Sequence, residues 1–470
     1  MKRITNVHKT RLIATFAISL FLSFFVGSQC QAANHYVRSG ATGAGNGANW
    51  TDAWTQLPQS LTRGDTYYVA DGNYGGYTFD DPLAGGQYVT VKKAIADEHG
   101  SEVGWQASYG DGTAVFTGTI NVAVGYFVFD GSTGGGPGSW KSGHGFEFTS
   151  SAGTGIEYFN VTPGVSNLQI RHTYFHQVGD TSVYAVGATG IYNPDILNDS
   201  LFEYCYFENL GRLPFFLRNG SRNIIQYNYT GDICGTSVYD VDNHCEAVVI
   251  HDMDDSHFRW NYVAECPSSG GFVKNNVQNS DLIRIYGNVF ENGFPINCNS
   301  GPCTNWRVFN NTFHSFGGGP VGGDGASNST NLFYNNVMYG ASHLGYLWGT
   351  HDYNWFSSSA GARCTMSPNA HENICVDCAS GCDSITEARN PFLNVAGDTL
   401  EAFRLTGEIS GHPGTNLCLL DDCLGEDKYN IDALGNIRGA DGVWDRGVLE
   451  YESGITDTMP PVVPTGLMVH

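Results

Sequence analysis

Through the middle of the chain, apolar and polar positions alternate in short runs separated by Gly, Asn and Ser. The runs Leu168–Phe175, Leu201–Phe207, Asn223–Tyr229, Phe258–Val263, Leu282–Val289, Arg307–Phe313 and Leu332–Val337 combine β-branched and aromatic residues, most with an Asn near the end. Each is one strand long and bounded by turn residues, so strands are predicted rather than helices. Taking Asn228, Asn261, Asn288, Asn311 and Asn336 as markers, the steps are 33, 27, 23 and 25 residues. Hairpins would join neighbouring strands through turns of about two to five residues. Here similar strands recur at a longer interval with another strand between them, which predicts a solenoid with one coil per repeat. Equivalent strands would then stack in parallel about 4.8 Å apart, and their inward residues would form apolar ladders. A propeller would need a blade period of about 40–50 residues, which this chain does not show. Tyr36 to about Ile120 reads as an N-terminal cap and first coils, and Gly131–Gly145 as a Gly-rich loop. Residues 340–390 interrupt the repeat and are expected to form an insertion or cap held by disulfides.

Both ends of this body carry further signatures. His35-Tyr-Val-Arg-Ser-Gly, Asn49-Trp-Thr-Asp-Ala-Trp and Arg63-Gly-Asp-Thr-Tyr-Tyr-Val-Ala-Asp-Gly-Asn-Tyr74 stand near the start, and Asp445-Arg-Gly-Val-Leu-Glu-Tyr451 near the end. With the internal Asn-Asn-Thr-Phe and Gly-Asn-Val-Phe segments, they resemble secreted right-handed β-helix proteins of the pectate-lyase-like superfamily. The resemblance implies an all-β, right-handed parallel β-helix of about ten coils over residues 33–452. It is specific for fold and weak for activity, because that architecture carries lyases, hydrolases and adhesins alike. Residues 453–470 contain Pro460-Pro-Val-Val-Pro-Thr-Gly-Leu-Met-Val469, which resembles the first strand of a fibronectin type III module cut short.

Composition narrows the setting. Lys2, Arg3, Lys9 and Arg11 precede the apolar run Leu12–Val26, and Ala32 and Ala33 follow, so residues 1–32 read as a secretory signal. The run is too short for a comfortable membrane span, and secretion to an extracellular, periplasmic or cell-surface location is expected. The formal net charge is -23, and loss of those four basic residues makes it -27. Such a surface repels phosphate backbones, which argues against nucleic acid as a partner. It would repel a polyanionic glycan as well, except at a local basic site.

Of 13 cysteines, loss of Cys30 with the leader leaves 12, an even set best read as disulfide-bonded in an exported chain. The short spacings predict Cys298 with Cys303 and Cys418 with Cys423. Cys364, Cys375, Cys378 and Cys382 also fit a zinc site by spacing, and disulfides are favoured in an oxidising compartment.

Candidate chemistry lies in three segments that align coil on coil: Phe216-Leu-Arg-Asn219, Val249-Ile-His-Asp252 and Phe272-Val-Lys-Asn275. Strand alternation sends Leu217, Ile250 and Val273 inward and Arg218, His251 and Lys274 outward in one column. Asn297 continues that column on one side and Asn193 on the other. A basic column on an acidic protein is suited to a uronate carboxylate. β-Elimination needs that carboxylate neutralised, a base at the neighbouring carbon and an acid at the leaving oxygen. Arg218 is the candidate for neutralising charge, Lys274 for base, and His251 for acid or base. Asn193, Asn297, Glu246 and Asp252 are candidate substrate contacts. Asn219, Asp252 and Asn275 also fit a structural role at a turn. The acidic stretch Asp240, Asp242, Glu246, Asp252, Asp254 and Asp255 raises calcium, with Asp252, Asp254 and Asp255 as ligands. The reading is a polysaccharide lyase acting on a uronate-containing glycan. The alternatives are a non-catalytic glycan-binding or cell-surface structural protein, and a glycoside hydrolase run by two carboxylates.

Overall fold

A computed structural model describes residues 32–181, 187–234, 245–266, 273–275, 279–293, 296–298, 301–314, 321–322, 328–341, 349–358, 369–374, 391–392, 399–405 and 413–451. The expected leader and the fibronectin-like tail fall outside them, as do Cys364, Cys375, Cys378 and Cys382. Among the described residues there are strands and short 3-10 turns but no α-helix, and no helix is long and apolar enough to cross a membrane.

The strands form three long sheets in which every pairing is parallel. Sheet A has twelve strands from Asn34–Val37 to Thr350–Asp352, and sheet B twelve from Gly72–Tyr74 to Asn373–Ile374. Sheet C has nine, from Tyr77–Phe79 to Val321–Gly322. The chain visits A, then B, then C, and returns to A one step further along, so nine coils contribute to all three sheets. This is the expected right-handed parallel β-helix; crossovers between parallel strands wind that way. Three further strands, Thr350–Asp352, Trp355–Ser358 and Asn373–Ile374, lie inside the segment expected to interrupt the repeat, and they extend sheets A and B.

The core is built from inward rows with one residue per coil. On sheet A, Phe129, Ile170, Phe202, Ile225, Phe258, Ile285, Val308 and Phe333 are in register. On sheet B, Phe148, Phe175 and Phe207 stack with centroids 5.2 and 4.7 Å apart. All of these side chains are buried.

The bend from sheet A to sheet B explains the repeated Asn. One residue there adopts left-handed backbone: Tyr227, Trp260, Asn310, Asn335 and Tyr353 have φ between 53° and 57°, and Gly287 has 64°. The next residue is Asn228, Asn261, Asn288, Asn311, Asn336 or Asn354. Each of these carboxamides accepts the backbone N–H of the residue one coil back, at 2.9–3.1 Å. Each also donates to a main-chain carbonyl near that coil's own bend, such as Asn288 to Phe258 at 3.0 Å. A β-helix bend buries backbone groups that no strand partner reaches, and the ladder satisfies them. Cys205 occupies the same position one coil earlier. It is a buried free thiol, so the even pairing of cysteines is not complete.

Disulfides Cys298–Cys303 and Cys418–Cys423 are present as expected. A third, Cys234–Cys245, was not anticipated; it ties the chain after sheet-B strand Tyr229–Gly231 to the start of sheet-C strand Val248–Asp254.

Candidate functional site

The outer faces of the three sheets differ in what covers them. On sheet A, residues 413–451 lay an acidic segment across a group of arginines from three successive strands. Asp421 pairs with Arg307 at 2.8 Å, Glu426 with Arg259 at 2.9 Å, and Asp427 with Arg284 at 2.5 Å. Arg259 is almost fully buried. On sheet B, Tyr174, Tyr206, Tyr229 and Tyr262 form an aromatic column. The Gly-rich loop lies over part of it, with Lys141 4.6 Å from the Tyr229 ring centre. That loop is pinned by Glu401, which accepts from Gly138 N–H and Trp140 Nε1 at 3.0 Å each.

Sheet C carries the candidate site. Along its strand Leu213–Ser221, Phe215 and Leu217 are buried in the core, while Phe216 and Arg218 are only half-buried on the outer face. The next strand, Val248–Asp254, pairs Leu217 with Ile250 and Arg218 with His251. The alignment of these two coils and their faces agrees with the sequence reading.

Arg218 differs electrostatically from most other described arginines. Arg171 is answered by Glu203, Arg222 by Asp199, Arg284 by Asp255 and Asp427, and Arg438 by Glu450. Among the described residues Arg218 makes no ion pair, and its Nε is buried without a hydrogen-bond acceptor. A buried donor left unmade costs about 1–3 kcal/mol, more when charged, so this atom calls for an acceptor that the described residues do not supply.

The third coil departs from expectation. Lys274 pairs with Val249, not with His251, and Val273 with Val248. Lys274 and Asn297 do share a row, but it is the row of Phe216 and Val249, two residues short of Arg218 and His251. Alignment by motif set Lys274 beside His251, although fourteen residues separate Lys274 from Asn288 and ten separate His251 from Asn261. The sheet's hydrogen-bond ladder sets the register instead. A two-residue slip preserves the face, whereas a one-residue slip would have reversed it.

Other assignments need correction. Asn193 follows Tyr192, which pairs with Phe216, so Asn193 lies level with inward Leu217. It is fully buried, and its amide donates to the carbonyls of Val161 and Asp195, so it is not a surface contact. Glu246 is 2% exposed and likewise buried from any substrate. Asn219 and Asp252 have φ of 44° and 56°; Asn and Asp tolerate this left-handed backbone best, which accounts for their recurrence. The calcium set does not assemble. Asp254 accepts the backbone N–H of Asp281 at 2.8 Å, and Asp255 pairs with Arg284 at 2.7 Å. Among the described residues no three His, Cys, Asp or Glu side chains are grouped to hold a metal. Asp240 and Asp242 lie outside the described residues.

The sequence reading missed two aromatics on this face. Phe216 stacks on Tyr192 of the preceding coil, centroids 5.1 Å apart and planes 24° apart. Its other neighbour is the His251 ring, at 5.3 Å. The signal was present: alternation puts Phe216 on the face of Arg218.

No family model matches the sequence, and no curated protein matches it. The fold is similar to that of the pectate lyase Pel9A, with a TM-score of 0.48 and 15% identity over 90% of this chain and 97% of that one. It is similar to XylC in complex with xylose, with a TM-score of 0.40 and 9% identity over 89% and 99% of the two chains. It is similar to the PL6 family alginate lyase AlyGC, with a TM-score of 0.32 and 12% identity over 63% of this chain and 45% of that one. At these identities none of the three bears on what the side chains do.

Proposed function

We propose that this chain is an exported, carbohydrate-active β-helix protein that acts as a polysaccharide lyase on a uronate-containing glycan, with its site on the outer face of sheet C. The observation that carries this reading is the orphaned, buried Nε of Arg218 on a protein of net charge -23. A guanidinium without a carboxylate of its own is a receiver for one from outside, and its fork suits bidentate recognition. Three disulfides fit an oxidising compartment.

In the proposed reaction Arg218 holds the uronate carboxylate and stabilises the charge that spreads onto it when C5 loses its proton. A base takes that proton, the C–H electrons form the C4–C5 double bond, and the C4–O bond breaks. The departing oxygen takes a proton from an acid. His251, beside Arg218 in register, and Lys274, one coil on, are the candidate base and acid. The two-residue offset of Lys274 also leaves room for a second reading, a binding protein that holds the uronate and performs no elimination.

One experiment separates these. The protein is incubated with acidic and neutral polysaccharides while absorbance near the unsaturated-uronate band and reducing ends are followed together. Both rising supports the lyase. Retention of an acidic glycan with neither rising supports the binding protein. Reducing ends alone would assign a hydrolase and overturn elimination.

A further inference from the structure

We propose that the exported chain is cut between Ala32 and Ala33, and that the α-ammonium this creates docks on the buried carboxylate of Asp65 and fastens the first strand of the β-helix. Strand Asn34–Val37 ends sheet A and has one partner in it, Thr66–Val69, with Asn34 opposite Thr66. Ala33 extends that pairing by one residue. Its carbonyl accepts the Thr66 N–H at 2.9 Å, and its own N–H donates to Asp65 Oδ1 at 2.8 Å. Ala32 and Ala33 are both exposed, so the bond between them is open to a peptidase. Cys30 and Ala32 stand third and first before that bond, and small residues there mark an export cleavage site. Cleavage one residue later would put Gln31 in the third position and discard both hydrogen bonds of Ala33.

Asp65 needs what this cut supplies. It is 5% exposed, and a buried carboxylate is costly unless paired. Its other oxygen lies 2.8 Å from His35 Nε2, a partner that carries charge only when protonated. Arg63, two residues away, donates instead to the carbonyls of Asp81, Pro82, Gly125 and Tyr126. Among the described residues no lysine or arginine pairs with Asp65. While Ala33 is joined to Ala32 it offers one neutral N–H. Hydrolysis breaks the C–N bond: the oxygen and one hydrogen of water join the Ala32 carbonyl carbon, and the other hydrogen joins the Ala33 nitrogen. Near neutral pH the new carboxyl proton passes to the amine. The same nitrogen then carries a full charge beside a carboxylate, which is the stronger, charge-assisted form of the contact. Asp65 and His35 face it, and Tyr67, stacked on His35 at 4.7 Å, is kept protonated by burial.

The test uses the full chain exported with its own leader. Its first residue is read by mass spectrometry of the N-terminal peptide. Its α-amine is then titrated by competitive labelling in wild type and in Asp65→Asn, with circular dichroism as a check on folding. The first residue is expected to be Ala33. An α-amine ordinarily half-titrates at about pH 7.7–8.0; in the folded wild type it should bind its proton about tenfold more tightly, half-titrating near pH 9, and return to the ordinary value in Asp65→Asn. A first residue other than Ala33 overturns the cleavage assignment. An ordinary value in folded wild type that starts at Ala33 overturns the ion pair, as does a raised value that survives in folded Asp65→Asn. If Asp65→Asn does not fold, the wild type is titrated again in denaturant: return to the ordinary value supports the pair, and a value that stays raised overturns it.

Discussion

The Asn ladder can be tested by removing one rung. Asn288 lies mid-ladder and is fully buried. Its Oδ1 accepts from the backbone N–H and the Nδ2 of Asn261, at 2.9 and 3.1 Å. Its Nδ2 donates to the carbonyls of Phe258 and Tyr286 and to Asn311 Oδ1, at 3.0, 3.1 and 3.0 Å. Asn288→Ala removes all five bonds. The Tyr286 carbonyl keeps the Trp260 N–H, and the Asn261 carboxamide keeps its bond to Ile225 O. The Asn261 N–H is left with none in the ladder. One orphaned buried donor costs about 1–3 kcal/mol, and the other lost bonds about 0.5–1.5 kcal/mol each before relaxation. With partial relaxation the expected destabilisation is about 3–5 kcal/mol. The assay is equilibrium urea unfolding followed by far-ultraviolet circular dichroism, comparing Asn288→Ala with Asn121→Ala. Asn121 is half-exposed and accepts from Asn160, and its loss should cost less than about 1 kcal/mol. If Asn288→Ala lowers stability by less than about 1 kcal/mol at unchanged m-value, the ladder does not carry the bend and the reasoning fails.

Three further outcomes are expected. Arg218→Gln should weaken retention of an acidic glycan by about 10–100-fold, the worth of a charge-assisted hydrogen bond, and leave the unfolding midpoint unchanged or raise it, because no described partner loses a contact and an unmet buried donor is removed; a large loss of stability would show that Arg218 is structural. Burial pushes the carboxyls of Asp427 and Asp445 up to about 6 and that of Glu450 up to about 7, outweighing the pull of Arg284 on the first and of Arg438 on the other two. Folded values above the unfolded ones mean stabilisation that is present below about pH 4 and lost as pH rises through 6–7, so the urea midpoint should fall across that window and fall less in Asp427→Asn; an equal slope in the variant refutes the assignment. Under native, non-reducing alkylation, Cys205 and the six described disulfide cysteines should stay unlabelled, and unfolding without reductant should expose Cys205 but not the six; native labelling of Cys205, whose thiol is buried and pushed up in pKa, would contradict its place in the core.

The coils were legible because a bend needs a carboxamide at one position and left-handed backbone just before it, so Tyr-Asn, Trp-Asn, Gly-Asn and Asn-Asn recur as pairs. Asn354 belongs to the same ladder only 18 residues after Asn336 and donates to Glu372 Oε1 at 2.8 Å. The shorter step, in a Cys-rich stretch, hid it. In the earlier coils Thr173 and Cys205 stand where Asn later stands, so the marker is missing although the strands stack in the same way. Cys234–Cys245 was not legible because its eleven-residue spacing is not that of a local clip.

For the site, alternation along a strand proved readable and alignment between strands did not. Faces follow from the two-residue period, so Arg218 and His251 came out correctly on the outer surface. Position along the neighbouring strand depends on how many residues each turn absorbs, and nothing in a turn's sequence states that number. Asn193 shows the cost of one residue: a one-place shift takes it from the expected outer column into the interior. Lys274 shows the milder cost of two, which keeps the face and changes the neighbour from His251 to Val249. Burial was equally invisible, since Glu246 and Asp252 lie in one exposed-looking acidic stretch, yet Glu246 is buried and both Asp252 carboxylate oxygens are shut off from solvent. A solenoid therefore lets sequence name the chemistry on a face before it can name which two groups act together. The pairing that matters most here, Arg218 beside His251 with Phe216 between them and Tyr192, emerges only from the stacked strands.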